Sequence, residues 1–188
     1  MKNLILSLLF LNTFGIFSQK LFSKEELMVA TDGGDRWQKN IKIFLYGKYT
    51  KKDSLDVVNN AKFFNSLITP IEITIVSNKD SANVVMYFLT DDEFSLLTKR
   101  SKSRLVNIGV SFICVPNHKI KSVDIHIDII QNKKYDSFSE TIKHEMFHML
   151  GFTHYDEEKN SILDNNHDNL TDKDIEMVKY LYSDKFKI

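Results

Sequence analysis

The sequence contains a single cysteine, Cys114, and so can form no disulfide within itself. It has only two prolines and six glycines in 188 residues, and neither a low-complexity tract nor an internal repeat. Fibrous, collagen-like and repeat architectures are thereby excluded. Neither charge is in excess: 25 Lys and Arg stand against 25 Asp and Glu, so the composition points to no nucleic-acid partner and no anionic membrane surface. Arginine is scarce, represented by Arg36, Arg100 and Arg104. Beyond its first residues the sequence also lacks an apolar run long enough to cross a membrane, which takes about 20 residues. What is present is 43% hydrophobic content, enough for one globular domain with a proper core, expected as a monomer.

The N-terminus carries information of its own. Lys2 precedes an apolar stretch over residues 4–17, broken by Ser7, Asn12, Thr13 and Gly15, and the small residue Ser18 follows. A basic start, a short apolar run and a small residue at its end read as a secretory signal, residues 1–18. The mature protein is then secreted or periplasmic and has no membrane attachment. Export permits disulfides, but Cys114 stands alone in the apolar run 110–115 and is expected to be a small buried hydrophobe. Residues 19–38 are mixed and polar, with a turn-rich break at Asp32-Gly33-Gly34-Asp35, and read as an extension leading to a domain over 39–188.

Periodicity outlines that domain. Residues 41–46 (IKIFLY) read as a strand. Over 53–67, Leu55, Val58, Ala61, Phe63 or Phe64 and Leu67 recur at helical spacing, and Pro70 stops the pattern. Residues 71–76 alternate as a half-wet strand, and the continuous apolar run 84–89 suits a strand buried on both sides. Strand, helix, strand implies a parallel pair joined by a right-handed crossover. Asp91-Asp92-Glu93 and Lys99-Arg100-Ser101-Lys102 read as solvated faces of a short helix and loop. Residues 108–115 and 122–129 make two more strands, separated by Pro116-Asn117-His118. His126, between Ile125 and Ile127, is expected to face away from the core, and His118 to lie in a loop.

The most specific pattern is H-E-x-x-H-x-x-G-x-x-H, formed by His144, Glu145, His148, Gly151 and His154. With six histidines in the chain, chance would place it somewhere with a probability on the order of 10⁻⁵. On a helix, His144 and His148 project from one face. Glu145 is rotated away by about 100°, within reach of a water on a metal but not placed to ligate beside them. Gly151 can adopt positive φ and end the helix, bringing His154 back as a third nitrogen. Three neutral nitrogens and one open position describe a catalytic zinc site rather than a structural one. Ser137 and Glu140 make a capping box for this helix, and Ile142, Met146 and Met149 or Leu150 form a stripe to anchor it. Thr171 and Asp174 cap a last helix bearing Ile175, Val178, Leu181 and Tyr182. Asp164, Asp168, Asp172 and Asp174 lack the glycine and glutamate of a calcium loop, so a solvated turn and no Ca2+ are expected.

Residues His144 to His154 resemble the extended zinc motif of the metzincin metallopeptidases. The stretch from Leu170 to Tyr182 is similar to the C-terminal helix of the matrixin branch. The resemblance implies an α+β fold with an α/β-like upper subdomain over 39–150: a mixed five-stranded sheet, a backing helix and the active-site helix. A small lower subdomain over 151–188 would carry the C-terminal helix. It also implies one catalytic Zn2+ on His144, His148 and His154, Glu145 as general base, and a protein or peptide substrate laid along an edge strand, for which 108–115 is the candidate. Two departures stand out. Leu163, in Ser161-Ile162-Leu163, occupies the place of the methionine that metzincins set beneath the metal, a swap of similar volume. No cysteine precedes residue 41, so latency through a cysteine is not implied.

Two functions therefore compete: a secreted zinc endopeptidase, and a zinc-binding module without catalysis that binds a partner protein or peptide. Intact Glu145 favours the first, because a module that only binds needs no general base. Expression in a secreting host is expected to yield a mature chain beginning at Gln19, read by mass spectrometry of the N-terminal peptide. A mature chain still carrying residues 4–17 would refute the signal assignment.

Overall fold

The computed structural model describes residues 21–98, 108–115, 117–129, 138–155, 161–163 and 169–187. The signal segment, Ser137 of the expected capping box, residues 99–107, and Asp164 and Asp168 lie outside the described residues, as does the Cys114 side chain.

Five strands form one sheet: β1 (Ile41–Gly47), β2 (Ile73–Val76), β3 (Val84–Leu89), β4 (Ile108–Val115) and β5 (Lys119–Asp128), in the order β2-β1-β3-β5-β4. β2, β1, β3 and β5 are parallel neighbours, and β4 closes one edge antiparallel to β5. The apolar run of β3 occupies the centre because a central parallel strand is covered more completely than its neighbours. The β4–β5 hairpin turns at Asn117 and His118, whose φ values of 72° and 54° supply the twist a tight hairpin needs.

Register sorts the two faces. Ile43 and Leu45 lie level with Val84 and Met86, and Val84, Met86 and Phe88 lie level with Val123, Ile125 and Ile127. Leu45 is 8% exposed and the others 0–1%, forming the core face. On the opposite face Tyr46, Tyr87 and His126 share a row, with Tyr87 and His126 stacked at 4.9 Å, so His126 does point away from the core.

Five helices complete the described fold: α1 (Lys24–Ala30), α2 (Lys51–Asn65), α3 (Asp91–Thr98), α4 (Phe138–Met149) and α5 (Asp172–Leu181). The mixed five-stranded sheet, backing helix α2, motif helix α4 and C-terminal helix α5 agree with the fold expected from the sequence. α2 keeps Ala61 and Phe64 of the expected stripe but differs at its start and its ends. It begins at Lys51 because Thr50 and Asp53 form a capping box, and it closes at Asn65, ahead of Pro70. Val57, Ala61 and Phe64 are its buried apolar residues, while Leu55 is 54% exposed.

The polar segment ahead of β1 holds a helix of its own. Ser23 caps α1, whose Leu27 and Ala30 are fully buried, and Trp37 is 2% exposed. Arg36 reaches the other end of the chain, donating to the Leu181 carbonyl at 2.5 Å with its guanidinium 5.0 Å from the Phe186 ring centre.

One expectation is overturned at α5. The aspartates do not form one solvated turn: Asp172 is exposed, but Asp174 is fully buried. The Asp174 carboxylate accepts from Ser161 Oγ at 2.5 Å, Ile162 N at 2.8 Å, Thr171 N at 2.8 Å and Thr171 Oγ1 at 3.0 Å. A buried carboxylate survives only with such a full set of donors. Replacing it removes a helix cap and orphans donors from two segments. Asp174→Ala should lower unfolding stability by about 3 kcal/mol in urea titration, and Asp174→Asn by less. No loss in the Ala variant would show that these bonds contribute nothing.

Candidate metal centre

α4 is buried almost all round. Ile142, Met146 and Met149 are fully buried as the stripe requires, and Phe147 is buried on another side, stacked on Phe152 at 4.2 Å. Glu145 and His148 are buried too, at 3% and 8% exposure. The helix is thus held by packing on several sides, and its polar residues are fixed with it.

Beyond Met149 the chain turns sharply. Gly151 takes φ of +106°, and a Cβ there would lie 2.2 Å from the Asp35 carbonyl oxygen. Both the left-handed backbone and the close approach demand glycine. The turn brings His154 to the two helical histidines. Ligand nitrogens of His144, His148 and His154 all lie within 4.8 Å of one another, from half-buried, buried and exposed side chains respectively. The ring centres of His154 stand 5.6 Å from His144 and 4.9 Å from His148. The motif's three histidines are therefore one cluster.

The hydrogen bonds around them settle the tautomers. His144 Nδ1 lies 2.9 Å from the Ile162 carbonyl oxygen, and His148 Nδ1 lies 2.7 Å from that of Phe152. A carbonyl oxygen only accepts, so each Nδ1 carries the proton and each Nε2 presents a lone pair. Those two Nε2 atoms face each other at 3.0 Å. With both protons committed elsewhere, two lone pairs at that distance repel unless a cation lies between them. Two imidazole nitrogens on a tetrahedral zinc stand ~3.3 Å apart, so the donor set and its spacing fit zinc. Carbonyl partners on the far nitrogens are also how metal-binding histidines are commonly oriented.

Burial tunes the remaining groups. It pushes Glu145 up from 4.5 to about 8. It pulls His148 down from 6.5 to about 3, assisted by the neighbouring His144, which keeps that imidazole neutral as ligation requires. Burial also raises the Tyr155 hydroxyl to about 12, leaving it a donor across the physiological range.

Several supporting contacts escaped the sequence reading. Ser161, Ile162 and Leu163 are all buried at 1% exposure, and Ile162 offers its carbonyl to His144 while its N–H donates to Asp174. Trp37 Nε1 donates to the Met149 carbonyl at 2.7 Å, and Tyr182 donates to that of Leu150 at 2.8 Å. The signals available were a lone tryptophan in a polar stretch and the Ser161-Ile162-Leu163 segment already singled out. His118 pairs with Asp35 at 3.0 Å in its loop, apart from the cluster.

No family model and no curated relative matches the sequence. Among solved structures, the fold is similar to the crystal structure of myroilysin, with 17% identity and a TM-score of 0.42 over 65% of this chain and 48% of that one. A second structure of myroilysin gives 18% identity, the same TM-score and the same coverage. The chain thus aligns with about half the length of those proteins.

The titrations have opposite signs in chelator-treated protein. The Glu145 contribution is complete below pH 4.5 and is lost as pH rises through about 8; that of His148 is complete above 6.5 and is lost as pH falls through about 3. Between pH 6.5 and 8 only the Glu145 term changes, so Tm should fall over that interval. Glu145→Gln should flatten the fall in differential scanning fluorimetry; an equal fall in the variant would refute the assignment.

Proposed function

We propose that this protein is a zinc-dependent endopeptidase of the metzincin kind, exported through its N-terminal signal. The observation that carries the reading is the pair of His144 and His148 lone pairs facing each other at 3.0 Å, both Nδ1 protons held by carbonyls. With His154 they make a neutral three-nitrogen donor set of the catalytic type.

When bound, zinc supplies Lewis acidity, acidifying water and polarising a peptide carbonyl. The remaining steps belong to the chain. His144, His148 and His154 hold the ion without neutralising its charge. Glu145 takes the proton of the attacking water and passes it to the departing amine nitrogen. Burial raises the metal-free Glu145 carboxyl, and a bound dication beside it would favour the carboxylate that the base role needs. β4 lies at the sheet edge beyond β5, and an extended peptide would pair with its free side, main chain to main chain. The matrixin-like assignment rests on the sequence pattern from Leu170 to Tyr182.

The test is Glu145→Ala, with zinc content measured beside cleavage of a broad peptide library. Zinc should remain near one equivalent while turnover falls by about 10³-fold or more. Full activity in the variant would refute the mechanism. Zinc bound without cleavage in the unaltered protein would select the binding-module reading instead.

A further inference from the structure

We infer that α1 is a clasp that sets the position of the third histidine, with Glu26 and Tyr155 as a positioning pair; this rests on reading His144, His148 and His154 as one metal centre. The first two histidines need no such device, because α4 is buried and regular. His154 is different. It lies past the end of the helix, on irregular backbone, with an exposed side chain. An exposed residue on irregular backbone samples many conformations, and a ligand that must be ordered on binding weakens the metal site.

The residues flanking His154 are tied to α1. The Thr153 N–H donates to the Ala30 carbonyl at 2.7 Å. The Tyr155 hydroxyl donates to Glu26 Oε1 at 3.2 Å. Glu26 is in turn fixed by an ion pair with Lys173 of α5, and the Lys173 ammonium lies 5.7 Å from the centre of the Tyr155 ring. Further back, Trp37 holds the Met149 carbonyl, and the Asp35 carbonyl sits where a Gly151 side chain would be. The segment from Met149 to Tyr155 is thus laid against residues 26–37 along its length. α1 begins soon after the expected cleavage point, yet its contacts make it part of the metal centre's support. Glu26 touches neither metal nor substrate in this account; it acts through Tyr155 on His154.

Zinc affinity, measured by competition with a chromophoric chelator, tests this with a readout other than turnover. Glu26→Ala and Tyr155→Phe should each weaken zinc by about tenfold, the low end for partners that orient metal ligands. In a His154→Ala background neither should weaken it further, because the ligand they position is gone. Glu26→Gln, whose amide oxygen can still accept from Tyr155, should recover most of the loss. The visible spectrum of the Co2+-loaded Glu26→Ala protein should move towards that of His154→Ala. An equal loss in both backgrounds, or unchanged zinc affinity beside a lowered Tm of chelated protein, would overturn the clasp and leave the pair as packing. Wild-type protein binding zinc no more tightly than His144→Ala would overturn the three-histidine centre, and the clasp with it.

Discussion

Two imidazole lone pairs held face to face at 3.0 Å are the constraint on which the rest of the arrangement depends. Electrostatics disfavours the contact between two neutral rings whose Nδ1 protons are both donated to carbonyls, and a bound cation relieves it. The fold must hold this unfavourable geometry in place. It does so by burying the helix that carries both rings on several sides, with core packing beneath and Phe147 against Phe152 at the flank. The stability of the sheet and its covering helices is what keeps the two rings opposed.

Support then arrives from both ends of the chain. From the C-terminal side, Asp174 holds Ile162, and Ile162 holds His144. From the N-terminal side, Ala30 holds Thr153, next to His154. The two supports meet through Lys173 and Glu26, and again where Arg36 donates to the Leu181 carbonyl. The same buried carboxylate that caps α5 thus also orders a carbonyl at the three-histidine cluster, and its four donor contacts offset the cost of burying it.

What could be read from the sequence follows from how local each feature is. The motif from His144 to His154 was legible because its geometry comes from helical spacing and one glycine, all within eleven positions. The strands were legible because β1, β2 and β3 alternate or run apolar at the right lengths, and so was the parallel pairing across α2; the order of all five in the sheet was not. The stripe of α2 was legible in part: Ala61 and Phe64 are buried as read, while at its start tertiary packing selected Val57 over Leu55 and Val58. The capping of Thr171 by Asp174 was legible, but its burial was not, because Ser161 and Ile162 lie outside the helix, 13 and 12 positions back, and an acidic residue in a polar stretch looks solvated. For the same reason the segment before β1 read as a polar lead-in. Its partners Met149, Thr153 and Tyr155 lie more than a hundred positions downstream.

The link from Asp174 through Ile162 to His144 also has a meaning in time. A chain is made from its N-terminus, and early segments can fold before late ones emerge. The ring of His144 gains its orienting carbonyl only when the last helix has been synthesised and docked. The order of synthesis therefore leaves the orientation of this ring to the last segment made, after the sheet and its covering helices have been synthesised.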